Sequence, residues 1–403
     1  MKRIGTLSCI AVTSFAALAA TPRLAAQEPQ PDASTTQQAQ TFTILQSFQG
    51  SDGATPYAGV VMDRAHNLYG TTINGGAYGN GTVFKLGHRH DLTVLYSFTG
   101  GSDGKWPYAS VIRDRAGNLY GTTHSGGDYG NGTVFKLDAS GNETVLHSFA
   151  GGSDGSVPLA GLIMDKAGNL FGTTYVGGTY NSGTAFKLDP SGNETVLYTF
   201  TGGSDGGGPY AGSLIMDAAG NLYGTTSSGG AYGLGTVFKL DTFGFETVLH
   251  SFNGSNGALL YSGLVMDAEG NLYGTTFGGG STNCCGTVFK LDTAGQETVL
   301  HTFTGVGGDG VFPLAGLVRD RLGNLYGTTS GGGAYGGGIV FKLDRSGYET
   351  VLHSFTGNGL AYANGDLLRD RLGNLYGTTF YGGDSGDGTV FKIRARALSY
   401  REF

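Results

Sequence analysis

Five glycine-rich segments, "GGAYGNG", "GGDYGNG", "GGTYNSG", "GGAYGLG" and "GGGAYGGG", hold Tyr78, Tyr129, Tyr180, Tyr232 and Tyr335 among small residues. A tyrosine presented in this way is a flat apolar platform with a polar tip, the chemistry that stacks on a sugar face. The same ring can instead fold back as a plug over a neighbouring element, and the sequence leaves both roles open. Trp106, the sole tryptophan, stands beside Lys105 in "DGKWPYAS", where the related segments have neither. It is read either as a further ligand contact or as a larger plug. A second set of loops, "GGSDG", carries Asp103, Asp154 and Asp205, with Asp52 and Asp309 in similar settings. Asp among backbone carbonyls can ligate Ca2+, but each loop offers one carboxylate where a dedicated Ca2+ loop offers several. An Asp-Gly turn is the expected role, with Ca2+ left open as a cofactor.

Other reactive residue types fall into slots rather than sites. His147, His250, His301 and His353 share a slot with Gln46, Tyr96 and Tyr198. That exchange argues against metal ligation and for a planar hydrogen-bonding group packed between strands. Lys85, Lys136, Lys187, Lys239, Lys290, Lys342 and Lys392 each follow a phenylalanine. They read as stems lying along the fold with their heads in water rather than as an anion-collecting ring. No nucleophile elbow, HExxH or paired CxxC is present, so no catalytic residue and no metal ligand is assigned.

The slots exist because the chain repeats. The Asn of "NLYG" or "NLFG" recurs at 67, 118, 169, 221, 271, 324 and 374, with spacings of 51, 51, 52, 50, 53 and 50 residues. Seven copies of a unit of about fifty residues point to a propeller, a solenoid or an array. Within one copy, "AGLIMD", "LFGTT", "TAFKLD" and "ETVLYTF" parse as four short strands. Asp-x-x-Gly turns, such as Asp165 to Gly168 and Asp189 to Gly192, join two of the three connections. In the first copy His66 stands where the others have that Gly. The expected fold is all-β: a seven-bladed β-propeller with four antiparallel strands per blade. The ends support closure, because the chain opens on "FTILQSF", equivalent to "ETVLHSF", and stops after "GTVFKI" with no fourth strand of its own. Pairing of the N-terminal and C-terminal strands closes the ring and leaves no bare sheet edge.

The remainder bounds the setting. Residues 1–26 place Lys2 and Arg3 before an apolar stretch ending in small residues, the layout of a secretory signal peptide. Residues 27–41 read as a flexible lead-in, 42–393 as the propeller and 394–403 as a tail. Loss of Lys2, Arg3 and Arg23 with the leader shifts the formal charge from −7 to −10, which disfavours a nucleic-acid partner. Export then leaves Cys284 and Cys285, read either as a vicinal disulfide or as two free thiols.

The pattern "GNLYGTT…GG…GTVFKLD…GxETVLHSF" resembles the GloVer-type tandem repeat of secreted bacterial proteins over nearly the whole mature chain. "GLVMDAEGNLYGTT" is more loosely similar to the strand pair of NHL-type propellers. The resemblance implies class and export without a defined activity. The tail "RARALSYREF" lacks the hydrophobic anchor of such proteins, so periplasmic residence or release is expected, with no stable membrane insertion after signal removal. The leading expectation is a monomeric, non-enzymatic binding module for polysaccharide or cell-envelope components, through Tyr78, Tyr129, Tyr180, Tyr232, Tyr335 and Trp106. The alternatives are a protein-interaction scaffold, or a lyase or hydrolase with its site at the ring centre.

Overall fold

The "LYGTT", "TVFKL" and "ETVLHS" segments are rich in β-branched and aromatic residues, and Asp-x-x-Gly turns or glycine loops cut them at regular intervals. In the computed structural model, which describes residues 40–281, 284–356 and 362–395, each set forms an antiparallel sheet. Residues 1–39, including the leader, and 396–403 of the tail lie outside the described residues. Blade 2 is representative: its strands are Ile112–Arg113, Leu119–Thr123, Thr133–Leu137 and Glu143–Ser148, hydrogen-bonded in that order. The turn between the first two closes through the Gly117 N–H donating to the Asp114 carbonyl, with Gly117 at φ +98°. His66 takes that left-handed conformation in blade 1 at φ +64°.

The "GTT" triplet carries three separate jobs. Its Gly lies opposite the phenylalanine of the third strand, Gly121 against Phe135 in blade 2. A Cβ on Gly121 would sit 2.7 Å from the Phe135 ring, and the corresponding distance in the other blades is 2.6 or 2.7 Å. Only glycine lets the ring lie flat across the strand. The first Thr reaches the next blade, as Thr122 donates to the Ala160 carbonyl at 3.1 Å and Thr71 to the Ala109 carbonyl at 2.9 Å. The second Thr pairs with the third strand of its own blade, Thr123 with Thr133 at 2.9 Å. Thr173 is the exception, a buried hydroxyl with no partner. Blade 4, which should accept from it, carries one extra residue before its first strand, Ser213.

Blades join through phenylalanines. Phe98, at the end of blade 1, meets Phe135 of blade 2 edge to face at 5.2 Å, and the pattern repeats as Phe149–Phe186, Phe200–Phe238, Phe252–Phe289, Phe303–Phe341 and Phe355–Phe391. Seven apolar clusters result, each built from two adjacent blades. Burial of one such ring contributes about 1.5–3 kcal/mol and an edge-to-face pair about 0.5–1.5 kcal/mol more.

The seventh blade shows how the ring shuts. Its own strands are Leu368–Arg369, Leu375–Thr379 and Thr389–Ile393, and Phe42–Ser47 from the N-terminal end supplies the fourth, Phe42 opposite Ile393. Phe48 then meets Phe84 of blade 1 at 5.1 Å, and Thr378 donates to the Ala58 carbonyl at 2.8 Å across 320 residues of chain. Cys284 and Cys285, the pair left open by the sequence, are joined in a vicinal disulfide.

Substitution of Gly224 by Ala forces a Cβ to within 2.6 Å of the Phe238 ring. We expect a loss of about 1–3 kcal/mol, visible as a lower thermal midpoint. An unchanged midpoint would show that the Phe ring does not need the glycine.

Candidate functional site

The loops between second and third strands and those entering the first strands are bonded to one another and so share one face. The Ala54 N–H donates to the Asn74 carbonyl at 2.8 Å and the Gly76 N–H to the Gly50 carbonyl at 2.8 Å. In the tyrosine loop of blade 1 the Gly79 N–H turns back to the Gly76 carbonyl, with Gly79 at φ +76°. The tight turn pushes the preceding residue outward. Tyr78, Tyr129, Tyr180, Tyr232 and Tyr335 are accordingly 60–64% exposed, and none plugs a neighbouring blade.

Beside Tyr129 lies an open groove of about 490 Å3, lined by Ser102, Asp103, Asp128, Tyr129, Glu143, Val145, Leu146, His147 and Ser148. That volume falls in the roughly 300–1,000 Å3 range of ligand sites. Asp103 is held by its own loop, accepting from the Thr99 N–H at 2.7 Å, the Thr99 hydroxyl at 2.6 Å and the Tyr96 hydroxyl at 3.0 Å. Asp205 repeats the arrangement with Thr201 and Tyr198, and Asp52, Asp154 and Asp309 also accept from backbone N–H groups of their own loops. These aspartates cap turns. Glu143 differs, because its Oε1 is buried with no hydrogen-bond partner. Burial, with Asp103 beside it, pushes its carboxyl up to about 7.

Glu143 exemplifies a feature that sequence reasoning missed: five of the seven blade seams pair an outer-strand slot with a glutamate of the following blade. A β-bulge at the outer strand makes this possible. Phe135 pairs Val145 while Val134 pairs His147, so two residues that a regular strand would put on one face take opposite faces. The seam sets are Tyr96, Asp103 and Glu143; His147, Asp154 and Glu194; Tyr198, Asp205 and Glu246; His250, Asn256 and Glu297; His301, Asp309 and Glu349. In the second and last sets the ligand atoms lie within 4.8 Å of one another. Burial, with the neighbouring aspartate, also raises Glu194 and Glu246 to about 7.

Trp106 belongs elsewhere. Half-buried at φ +58°, it lies 5.8 Å from His124 and has the Lys105 ammonium 4.5 Å over its ring. It forms part of an aromatic collar near the ring axis, which continues through Tyr108, Tyr57 and Phe380 on one side and Tyr175, Tyr210, Tyr261 and Phe277 on the other. Trp106, Val157, Leu259 and Phe312 hold left-handed φ values of 57–59° that bulky side chains rarely adopt. Bonds on both sides enforce this: the Trp106 N–H donates to Asn80 of the preceding blade, and its carbonyl accepts from His124 of its own.

Below the collar, residues from all seven blades surround a cavity of about 70 Å3, among them Tyr57, Tyr108, Ser110, Ser213, Tyr261 and Asp366. Asp366 fills a slot that is Gly or Ser in the other blades. It accepts from the Gly316 N–H at 2.6 Å, and the protein around it raises its carboxyl although the side chain still meets the lumen. The cavity admits a few waters and falls well short of the roughly 300 Å3 at which ligand pockets begin. The lysines are also placed: Lys136 lies 6.0 Å over Tyr120 and Lys392 5.1 Å over Tyr376. The Tyr120 hydroxyl donates to Asp114 at 3.2 Å, a role that Phe171 cannot fill.

The Gloeobacter/Verrucomicrobia repeat matches residues 33–215 and 209–401. No curated protein matches the sequence. Among solved structures, the extracellular domain of a protein assigned as a one component system from B. thetaiotaomicron superposes with a TM-score of 0.57 at 13% identity. The match covers 90% of this chain and 40% of that one. A gluconolactonase from Xanthomonas campestris superposes with a TM-score of 0.46 at 17% identity, over 73% of this chain and 87% of that one. At these identities the first likeness shows the fold alone, and the second carries no argument. No helix among the described residues is long and apolar enough to cross a membrane.

The raised Glu246 carboxyl has a definite sign in stability. The folded chain holds its proton up to about pH 7, whereas the unfolded chain releases it near 4.5. The contribution is therefore full below about pH 4.5 and lost as pH rises through 7. Relative to the parent, Glu246→Gln should melt progressively higher as the buffer moves from pH 5 to pH 8. A pH-independent difference between the two midpoints would contradict the assignment.

Proposed function

The chain belongs to the Gloeobacter/Verrucomicrobia repeat family, and we propose that it is an exported binding module whose ligand is a polysaccharide or cell-envelope glycan. The observation that carries this reading is the groove at Tyr129, which an exposed ring lines together with Asp103, Asp128 and Glu143. Sugars present apolar C–H faces rimmed by hydroxyl donors, and the groove offers one surface for each. The ring stacks, and the exposed Asp128 carboxylate accepts a hydroxyl. Four further tyrosines at the same slot extend the platform around one face, so an extended chain can engage several blades and gain by multivalency. Export rests on the leader-like residues 1–26.

The ring-centre cavity around Asp366 supports the proposal by its size, since about 70 Å3 leaves no room for a sugar ring. A protein partner on the tyrosine face is the competing occupant. Affinity electrophoresis through gels containing soluble polysaccharides or envelope fragments separates the readings. The parent chain should be retarded by one glycan class, Tyr129→Ala with Tyr180→Ala should bind it about tenfold or more weakly, and Asp366→Asn should bind like the parent. Retardation that survives loss of both rings overturns the tyrosine assignment. Absence of retardation with every glycan transfers the face to a protein partner.

A further inference from the structure

We propose that the seam between blades 2 and 3 binds a divalent first-row transition-metal ion through His147 Nε2, Asp154 and Glu194. The three ligand atoms lie within 4.8 Å of one another, each on a different structural segment, so the blade interface itself builds the set. One imidazole with two carboxylates balances a divalent charge and suits zinc, cobalt or manganese. Ca2+, which gathers six to eight oxygens, is poorly matched.

The other seams act as internal controls. Where Tyr replaces His, the hydroxyl satisfies the aspartate directly: Tyr96 donates to Asp103 and Tyr198 to Asp205, both at 3.0 Å. Where the aspartate is missing, Asn256 bonds His250 Nε2 at 2.9 Å. Where the glutamate is missing, Phe42 takes its slot and stacks on His353 at 3.9 Å. In each case the substituted residue brings its own partner.

The complete set at blades 2 and 3 behaves differently. His147 Nε2 stands 3.5 Å from Asp154 Oδ2, outside hydrogen-bond geometry. His147 Nε2, Asp154 Oδ1 and Glu194 Oε1 are all buried without a hydrogen-bond partner. Three ligating groups within 4.8 Å of one another, each with a buried atom that lacks a hydrogen-bond partner, carry a large desolvation cost, which a cation coordinated by all three offsets. The related set His301, Asp309 and Glu349 is weaker, because Asp309 already accepts from the Thr304 N–H and hydroxyl and from the Gly310 N–H.

The test uses the full, tag-free chain stripped of metal and titrated with Co2+, read by its visible ligand-field absorption. The parent should saturate a tight site, displaceable by Zn2+ and not by Ca2+. His147→Tyr copies the Tyr96 and Tyr198 seams and so preserves the fold; it should weaken that site at least tenfold. Glu194→Gln should weaken it as well, and His301→Tyr should leave it intact. The proposal is overturned if the parent gives no Co2+ absorption, if His147→Tyr with parental stability binds as tightly as the parent, or if Ca2+ displaces the ion.

Discussion

The structure depends on a phenylalanine ring lying across a glycine of the neighbouring strand. Because Gly121 has no Cβ, the Phe135 ring can lie flat over the second strand, and the next ring, Phe98 of the preceding blade, can then meet it edge-on. The same contact occurs at all seven seams, and it fixes the spacing at which blades pack. Neither face of a four-stranded blade is buried by the blade itself. Closure of the ring therefore turns seven marginal sheets into one cooperative unit, in which the strand from Phe42 to Ser47 completes the last blade.

Once the apolar contacts are fixed, the polar chemistry has little freedom over where it falls. The bulge in each outer strand directs one slot into the seam, where at four seams it meets an aspartate from its own blade and a glutamate from the next. Burial makes those groups costly, and several seams offset part of the cost by a pairing of their own: Tyr to Asp, Asn to His, or Phe stacked on His. The opposite holds at the tyrosine loops. Their turns are tight and their rings project into solvent at nearly equal exposure, an arrangement the fold does not require. Exposure repeated five times at one slot is the observation on which the proposed binding face rests.

Much of the fold was legible from the sequence, because repetition at 50–53 residues displays each slot several times over. The blade count, the Asp-x-x-Gly turns and the closing strand all follow from aligning the copies. The seam glutamates were not legible in the same way. Glu194 is 47 residues from His147, and their contact depends on a one-residue bulge that leaves no mark in the composition. Trp106 was grouped with the loop tyrosines because it and Lys105 break the repeat pattern, and its left-handed backbone turns it toward the collar at the axis. Asp366 was missed for a simpler reason. Two extra residues before the last first strand, beside Asn364 and Gly365, hide its register with Gly59 and Gly316.

Removal of Thr41 to Gly50 tests the central claim most directly, because it deletes the closing strand together with Phe42 and Phe48, its contributions to the seams on either side of blade 7. Chemical unfolding of this variant should lose the single cooperative transition of the parent and show a lower midpoint, with blade 7 exposed at its new edge and blade 1 missing one wall of its core. A truncated chain that unfolds in one transition at the parental midpoint would mean that the blades are stable without closure, and that the Phe-over-Gly contacts do not act as a ring.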